Sequence, residues 1–363
     1  NNHLVFGSLY VYEPNKSASI FFAVAFGLSA MFHVFQCFYF KAWNMLGLHA
    51  ICAVILAAGY GIREWSTYHF MYLKTDKLPL SLFITNQVMI MICPPLLELA
   101  NYFVLNRIFS YIPFLAPIRP GRVATIFGSL MGLVEGLNGA GVALASNAGA
   151  SDATKQAGHY LTLVALCLQV VVILTFFLMA FTFHARCLRA KVYPRAVRTP
   201  LVVLYASMIV IFVRCVYRLV EFALGSTTVD LRDRAALGRL SPLVRYEVFF
   251  YVFEASLMLL NSALWNGWHP GRYLPREARV HLADDGRTEV LADKEAHAQE
   301  RHMGLATLAD FGIVGIITKA VKAIRKRNNS NSRGRHARVG SENQELNSLR
   351  IHQPHDEFAP EEQ

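Results

Sequence analysis

Charged residues are scarce over most of this chain, and the signatures of several enzyme classes are missing. Only 17% of the 363 residues are Asp, Glu, Lys or Arg, against about 25% in an average soluble domain. The sequence has no GxxxxGK[ST] phosphate-binding loop, no GxSxG nucleophile elbow and no HExxH metal motif. The six cysteines form no CxxC pair and lie in or beside apolar segments. We therefore predict no metal, no cofactor, no structural disulfide and no enzymatic activity.

The main feature of the sequence is instead a set of long apolar runs. A membrane-spanning helix needs about 20 mostly apolar residues, and seven runs of this kind occur along the chain. They cover residues 19–40, 42–62, 80–108, 123–146, 158–186, 200–224 and 246–268. The predicted fold class is all-α: a polytopic membrane protein built as a seven-transmembrane-helix bundle.

The distribution of basic residues predicts how the chain is oriented in the membrane. The net charge is +10, and much of the excess lies in short loops and beyond the last apolar run, as the positive-inside rule predicts. This places a short N-terminal segment (1–18) outside the cell, a transmembrane domain at 19–270, and a basic, largely disordered tail (271–363) in the cytoplasm. The basic charge thus indicates membrane lipid as the partner, and no nucleic acid.

One stretch of the tail combines apolar residues with a basic end. Residues 304–327 are too short and too charged to span a bilayer. We predict an amphipathic helix that lies on anionic lipid of the inner leaflet. The alternative is a solvated helix with no membrane role.

Ionisable side chains recur inside the last two spans at helical spacing. In the sixth span Arg214, Arg218 and Glu221 stand at i, i+4 and i+7. In the seventh span Glu247, Tyr251 and Glu254 repeat this spacing. A charge at mid-span costs about 2.5–3.5 kcal/mol on the mildest scales, so we predict that a cationic stripe faces an anionic one. Such pairs either fix the packing or line a polar pocket. The candidate substrate-binding cluster comprises Arg63, Glu135, Arg214, Arg218, Glu221, Glu247, Tyr251 and Glu254.

Acids outnumber bases in this cluster. The two arginines of the sixth span oppose three glutamates in the last two spans, even before Glu98 and Glu135 are counted. A surplus carboxylate can receive an ammonium head group, or stay protonated because it is desolvated.

A series of motifs occurs in a fixed order along residues 12–270. The series runs Tyr12-x-Pro14, His33-x-x-Gln36, Gly59-Tyr60-x-x-Arg63, Arg214-x-x-x-Arg218-x-x-Glu221-x-x-x-Gly225, and then Glu247, Tyr251, Glu254 and His269-Pro270. With these motifs the chain resembles the fungal RTA-like family, the lipid-translocating exporters. Leu56 and Met131 stand where family members tend to carry an acid, and Glu98 and Glu135 are candidates to compensate.

The resemblance implies seven spans with the N-terminus outside, in the plasma membrane or an internal membrane. It also implies export or transbilayer movement of sphingoid bases and phospholipids, and resistance to toxic amphiphiles. The expected function is a transporter or translocase for amphiphilic lipids in the plasma membrane. Its glutamates would meet a cationic head group, and Arg214 or Arg218 a phosphate.

Two other functions stay open from the sequence. Seven spans also suit a receptor or membrane-stress sensor that signals through its tail. An intramembrane lipid hydrolase would need a metal or an activated nucleophile, which the scattered histidines do not provide. The lipid, the direction and energy source of transport, and the oligomeric state are also left open.

Overall fold

The structure is a computed structural model, and it describes residues 14–68, 78–146, 149, 151–224, 242–277 and 279–291. The expected amphipathic helix at 304–327 lies outside the described residues, as do residues 1–13 of the N-terminal segment.

Seven helices are long and apolar enough to cross a membrane. They are α1 (Lys16–Phe40), α2 (Trp43–Tyr68), α3 (Leu78–Tyr111), α4 (Arg122–Ala145), α5 (Asp152–Arg189), α6 (Arg195–Leu224) and α7 (Glu247–Arg272). Each coincides with one predicted apolar run, with its ends shifted by a few residues. The predicted all-α fold with seven spans is confirmed.

A tight turn separates α1 from α2. Asn15 caps the start of α1 by accepting a hydrogen bond from the backbone N–H of Ala18 at 3.3 Å. At the other end, Lys41 adopts a left-handed conformation (φ 53°), and the N–H of Ala42 donates to the carbonyl of Cys37 at 3.0 Å. This is a Schellman-type end, which satisfies the last carbonyls of a helix and reverses the chain. The two helices can therefore pack as an antiparallel pair.

The bundle is apolar outside and contains polar groups inside. Large side chains such as Phe21, Phe35, Phe38, Leu178 and Phe181 are more than 60% exposed, on the faces that would meet lipid tails. Arg63, Glu98 and Asn101 are fully buried. Because hydrocarbon offers no hydrogen bonds, polar groups in a membrane protein are stable only where other protein groups satisfy them.

The helices α4 and α5 approach each other closely at two glycines. A Cβ atom on Gly141 would lie 2.4 Å from the hydroxyl of Thr162 and 2.8 Å from the carbonyl of Gly158. A Cβ atom on Gly158 would lie 2.6 Å from the carbonyl of Gly141. Only glycine fits at these positions, which is the small-residue packing common in membrane helices.

The helix α7 changes its winding near its start. Residues Glu247–Phe250 are α-helical, Tyr251–Ser256 form a π-helical turn, and Leu257–Gly267 return to α-helix. A π turn hydrogen-bonds i to i+5 and is wider than an α turn. It therefore rotates Glu254 away from the helix face that carries Glu247.

A small hairpin follows the bundle, within the segment that we expected to be largely disordered. Strands β1 (Val280–Leu282) and β2 (Glu289–Leu291) pair antiparallel, so this part of residues 271–363 has a defined structure. Hydrogen bonds from the Thr288 side chain and from backbone N–H groups of the turn lower the pKa of Asp285 to about 2.

Contacts at the end of α3 attach this hairpin to the bundle. Tyr111 donates to Glu289 at 2.7 Å. The Arg107 guanidinium donates to the carbonyls of Pro275 and Glu277, at 3.0 and 2.8 Å. No sequence pattern predicted this docking, because the residues that contact each other lie far apart along the chain.

Candidate functional site

Three of the predicted site residues and one hydroxyl that contacts them form a buried group near the end of the bundle where α7 begins. We call it the rim cluster: Arg63, Glu247, Tyr251 and Ser19. Arg63 donates to Glu247 at 3.0 Å and to the Tyr251 hydroxyl at 3.2 Å. Tyr251 also contacts the Ser19 hydroxyl at 2.8 Å, and the backbone N–H of Asn15 donates to Glu247 at 2.8 Å. The rim cluster thus joins α1, α2 and α7.

Aromatic rings complete the rim cluster. The Arg63 guanidinium lies 4.4 Å from the centroid of the Phe250 ring, a distance that suits a cation–π contact. Phe22 stacks on Tyr251 at 5.5 Å, and Phe26 stacks on Tyr60 at 5.6 Å. The Arg63–Glu247 ion pair of this cluster is buried in the protein.

A second group lies deeper in the bundle, with Glu254 about 10 Å beyond Glu247 along α7 at a rise of about 1.5 Å per residue. We call it the mid-bundle cluster: Arg214, Glu254, Glu98 and Glu135. At its centre the Arg214 Nε donates to both oxygens of Glu254, at 2.9 and 3.0 Å, and a second guanidinium nitrogen donates at 2.7 Å. Both side chains are buried. A bidentate pair of this kind is strong and directional.

Glu98 belongs to the mid-bundle cluster, although it was not among the predicted site residues. It is fully buried on α3. One of its oxygens forms a short hydrogen bond with the Tyr102 hydroxyl, and the other accepts from the Gln169 amide of α5 at 3.0 Å. No Lys, Arg or His nitrogen of the described residues lies within 4.0 Å of this carboxyl group.

Glu135 of α4 is the most open acid of the mid-bundle cluster. Its side chain is half-buried and interacts with Asn138 one turn further along the helix. It lies within electrostatic range of both Arg214 and Glu98. Among the described residues it has no cationic partner within 4.0 Å. The mid-bundle cluster therefore holds three carboxyl groups and one guanidinium.

The prediction that a cationic stripe faces an anionic one was right for Arg214 and Glu254 alone. Arg218 pairs with Glu221 of its own helix at 2.5 Å, with both side chains partly exposed. Glu247 pairs with Arg63 of α2 and with no residue of α6. The stripe argument failed because the π turn of α7 directs Glu247 and Glu254 to different neighbours.

A polar network in the other half of the bundle was not predicted. The Ser207 hydroxyl of α6 contacts Asn101 at 2.8 Å and Asn261 at 2.5 Å, and accepts from the Trp265 indole at 3.0 Å. The signal was present in the sequence, as polar residues inside otherwise apolar runs. It was weak, because serine and asparagine are tolerated in spans far more readily than charges.

A second set of polar contacts joins α1 to α7 beside this network. The hydroxyls of Ser29 and Ser262 lie 2.6 Å apart, and the His33 ring contacts Ser262 at 3.0 Å. Asn266 donates to Ser29 at 2.7 Å. These contacts are neutral and span the α1–α7 interface, so we assign them to packing.

The side chains also bear on metal binding. Within the part of the chain that the structure describes, no group of three or more His, Cys, Asp or Glu residues is arranged to hold a metal ion.

Known proteins with similar sequences carry names related to lipid transport. The chain is 49% identical over 315 residues to "Lipid-translocating exporter-like protein RTA1" of Leptosphaeria maculans, covering 86% of this chain and 60% of the relative. A protein of the same name from Ajellomyces capsulatus is 30% identical over 217 residues, covering 57% of this chain and 64% of the relative. "Probable lipid transporter atnI" of Emericella nidulans is 26% identical over 287 residues, covering 74% and 69%.

The chain spans about three-fifths of the length of the first two relatives. No solved structure matches it. The family model described as RTA1 like protein matches residues 49–277, which include every residue of the mid-bundle cluster. The resemblance seen in the motifs is thus confirmed, and the chain belongs to the RTA1-like protein family.

Proposed function

We propose that this protein is a translocase for amphiphilic lipids and that the mid-bundle cluster handles their head groups. The observation that carries the proposal is the excess of acid in that cluster: it holds three carboxyl groups and one guanidinium, which pairs with Glu254. Ionisable groups inside a membrane are costly, and they usually mark the pathway of a substrate or ion. The names of the relatives support a lipid substrate.

The charge balance favours a lipid with a cationic group. Glu254 is held by Arg214, whereas Glu135 is half-buried without a described cationic partner. An ammonium group at Glu135 would supply the missing positive charge. Sphingoid bases carry an ammonium group and no phosphate. Zwitterionic phospholipids carry both groups, and Arg214 is the cation of the mid-bundle cluster that would meet the phosphate.

The rim cluster has a different role in this proposal. Arg63 and Glu247 neutralise each other and are closed in by aromatic rings. A head group that bound there would have to break a buried ion pair. We therefore assign Arg63, Glu247 and Tyr251 to packing, and Arg218 with Glu221 to local support of α6.

The test is lipid movement in vesicles that contain the purified protein. A fluorescent sphingoid base and a fluorescent phosphatidylcholine would be followed by the loss of signal when a quencher reaches the outer leaflet. In Glu135→Gln and Glu254→Gln we expect movement of the sphingoid base to slow about 10–100-fold, because a hydrogen bond to a charged group contributes about 1.5–3 kcal/mol.

Asp152→Asn is the matched control, since it also neutralises an acid but lies at the start of α5 with its side chain 93% exposed. Unchanged movement in both glutamate variants, with normal folding, would refute the head-group site. Absence of movement in every sample, together with lipid sensitivity of cells that lack the protein, would favour the receptor or stress-sensor function.

The orientation and location form part of the same proposal. We propose the plasma membrane, with the N-terminus outside and the C-terminus in the cytoplasm, because basic residues such as Arg272, Arg276 and Arg279 follow α7 directly. Epitope tags at the two termini, stained in intact and in permeabilised cells, test this arrangement. Staining of the C-terminal tag in intact cells would contradict it.

A further inference from the structure

The isolated carboxyl group of Glu98 suggests how lipid movement is driven. In the apolar interior a carboxylate without a cation is very costly, so such a group is stable only as the neutral acid or beside a positive charge. Glu98 is fully buried and has no described cationic nitrogen within 4.0 Å.

The neighbours of Glu98 come from four helices. They are Tyr102 on α3, Glu135 on α4, Gln169 on α5, and Arg214 and Cys215 on α6. Tyrosine both donates and accepts hydrogen bonds, so the contact with Tyr102 is retained whether Glu98 holds a proton or not. The Gln169 amide donates in either state. The surroundings thus hold the side chain in place through a change of protonation.

We propose that Glu98 is a proton-binding site and that its proton is exchanged for the cationic head group of the lipid. This inference rests on the proposed lipid translocation and adds its driving force. With Glu98 protonated, Arg214 is bound by Glu254, as in the structure. When the proton leaves to water, the Glu98 carboxylate competes with Glu254 for Arg214, and a carboxylate becomes available to an ammonium group. One positive charge leaves the cluster and one enters it.

The first measurement asks whether Glu98 holds a proton, independently of any lipid. Infrared difference spectra in H₂O and D₂O detect the C=O stretch of protonated carboxyl groups. We expect this band in the wild type, its loss in Glu98→Gln and a frequency shift in Tyr102→Phe. A band that is identical in the wild type and in Glu98→Gln would overturn the proposal, whatever the lipid assay gives.

The second measurement asks whether the proton is coupled to lipid movement. Vesicles would be loaded at one pH and diluted into another, and accumulation of the fluorescent sphingoid base followed with and without a protonophore. An exchange of one proton per lipid supports about tenfold accumulation for each pH unit of gradient. In Glu98→Gln, which has no proton to exchange, we expect accumulation to stay close to onefold at every pH gradient.

The results separate the inference from the proposed function. Movement of lipid by the wild type without gradient-driven accumulation would overturn the coupling and leave translocation intact. Glu98→Gln is nearly isosteric and keeps acceptor and donor groups for Tyr102 and Gln169, so its fold should be retained. Size-exclusion profiles and melting curves like those of the wild type check this.

Discussion

The rim cluster and the mid-bundle cluster are both built around a buried arginine–glutamate pair, yet they differ in what surrounds the pair. Around Arg63 and Glu247 lie a hydroxyl, aromatic rings and a backbone N–H. Around Arg214 and Glu254 lie two further acids, Glu98 and Glu135. A guanidinium that has two further acids within electrostatic range of its pair has more than one possible partner. We therefore expect the rim cluster to act in folding and the mid-bundle cluster to act in lipid movement.

The largest expected effect is the loss of stability when one member of the rim pair is removed. In Arg63→Met, Glu247 stays buried without its cation, which costs about 3–5 kcal/mol in comparable buried pairs. Thermal unfolding in detergent, followed by fluorescence-detected size exclusion, measures the change. In Arg63→Met with Glu247→Gln most of the loss should be recovered, and failure to recover would show that more than charge is lost.

The next effect compares the two pairs after each has been neutralised. We expect Arg214→Met with Glu254→Gln to slow lipid movement about a hundredfold, equivalent to about 2.7 kcal/mol. The matched double variant at Arg63 and Glu247 should stay within about twofold of the wild type per folded molecule. Equal losses of movement in the two double variants would remove the distinction between the clusters.

A smaller effect is expected at the hydroxyl that links α1, α2 and α7. Tyr251→Phe removes the contacts with Ser19 and Arg63 but keeps the ring that stacks on Phe22. Hydrogen bonds between membrane helices contribute about 0.6 kcal/mol on average. A small drop in melting temperature with unchanged lipid movement is expected, and slower movement would extend the functional site to the rim.

The smallest effect is expected at Arg218. Its pair with Glu221 is local to α6 and partly exposed, so Arg218→Ala should cost about 0.2–0.5 kcal/mol, as is usual for pairs one turn apart. Lipid movement should be unchanged. A tenfold slowing would return Arg218 to the head-group site that the sequence suggested.

The sequence predicted the architecture well because apolar length alone defines a span. It also indicated Arg214 with Glu254, since consecutive helices bring such side chains together. It paired Glu247 with the cationic residues of α6, whereas Glu247 contacts Arg63 of α2; the winding of α7 changes at Tyr251–Ser256, and no residue pattern indicated that change. It listed Glu98 without assigning it to the site, since the isolation of this acid depends on which residues of α4, α5 and α6 face it. The docked hairpin likewise depends on tertiary contacts.

The contact between Gly141 and Gly158 has a mechanical consequence. Two backbones that touch, with no side chain between them, cannot slide or tilt past one another without a clash. The helices α4 and α5 should therefore move together as one rigid unit. The tight turn at Lys41 restricts α1 and α2 in the same way. Alternating exposure of the interior to the two leaflets would then come from movement of α6, since the rim cluster and the Ser29–Ser262 contact hold α7 to α1 and α2.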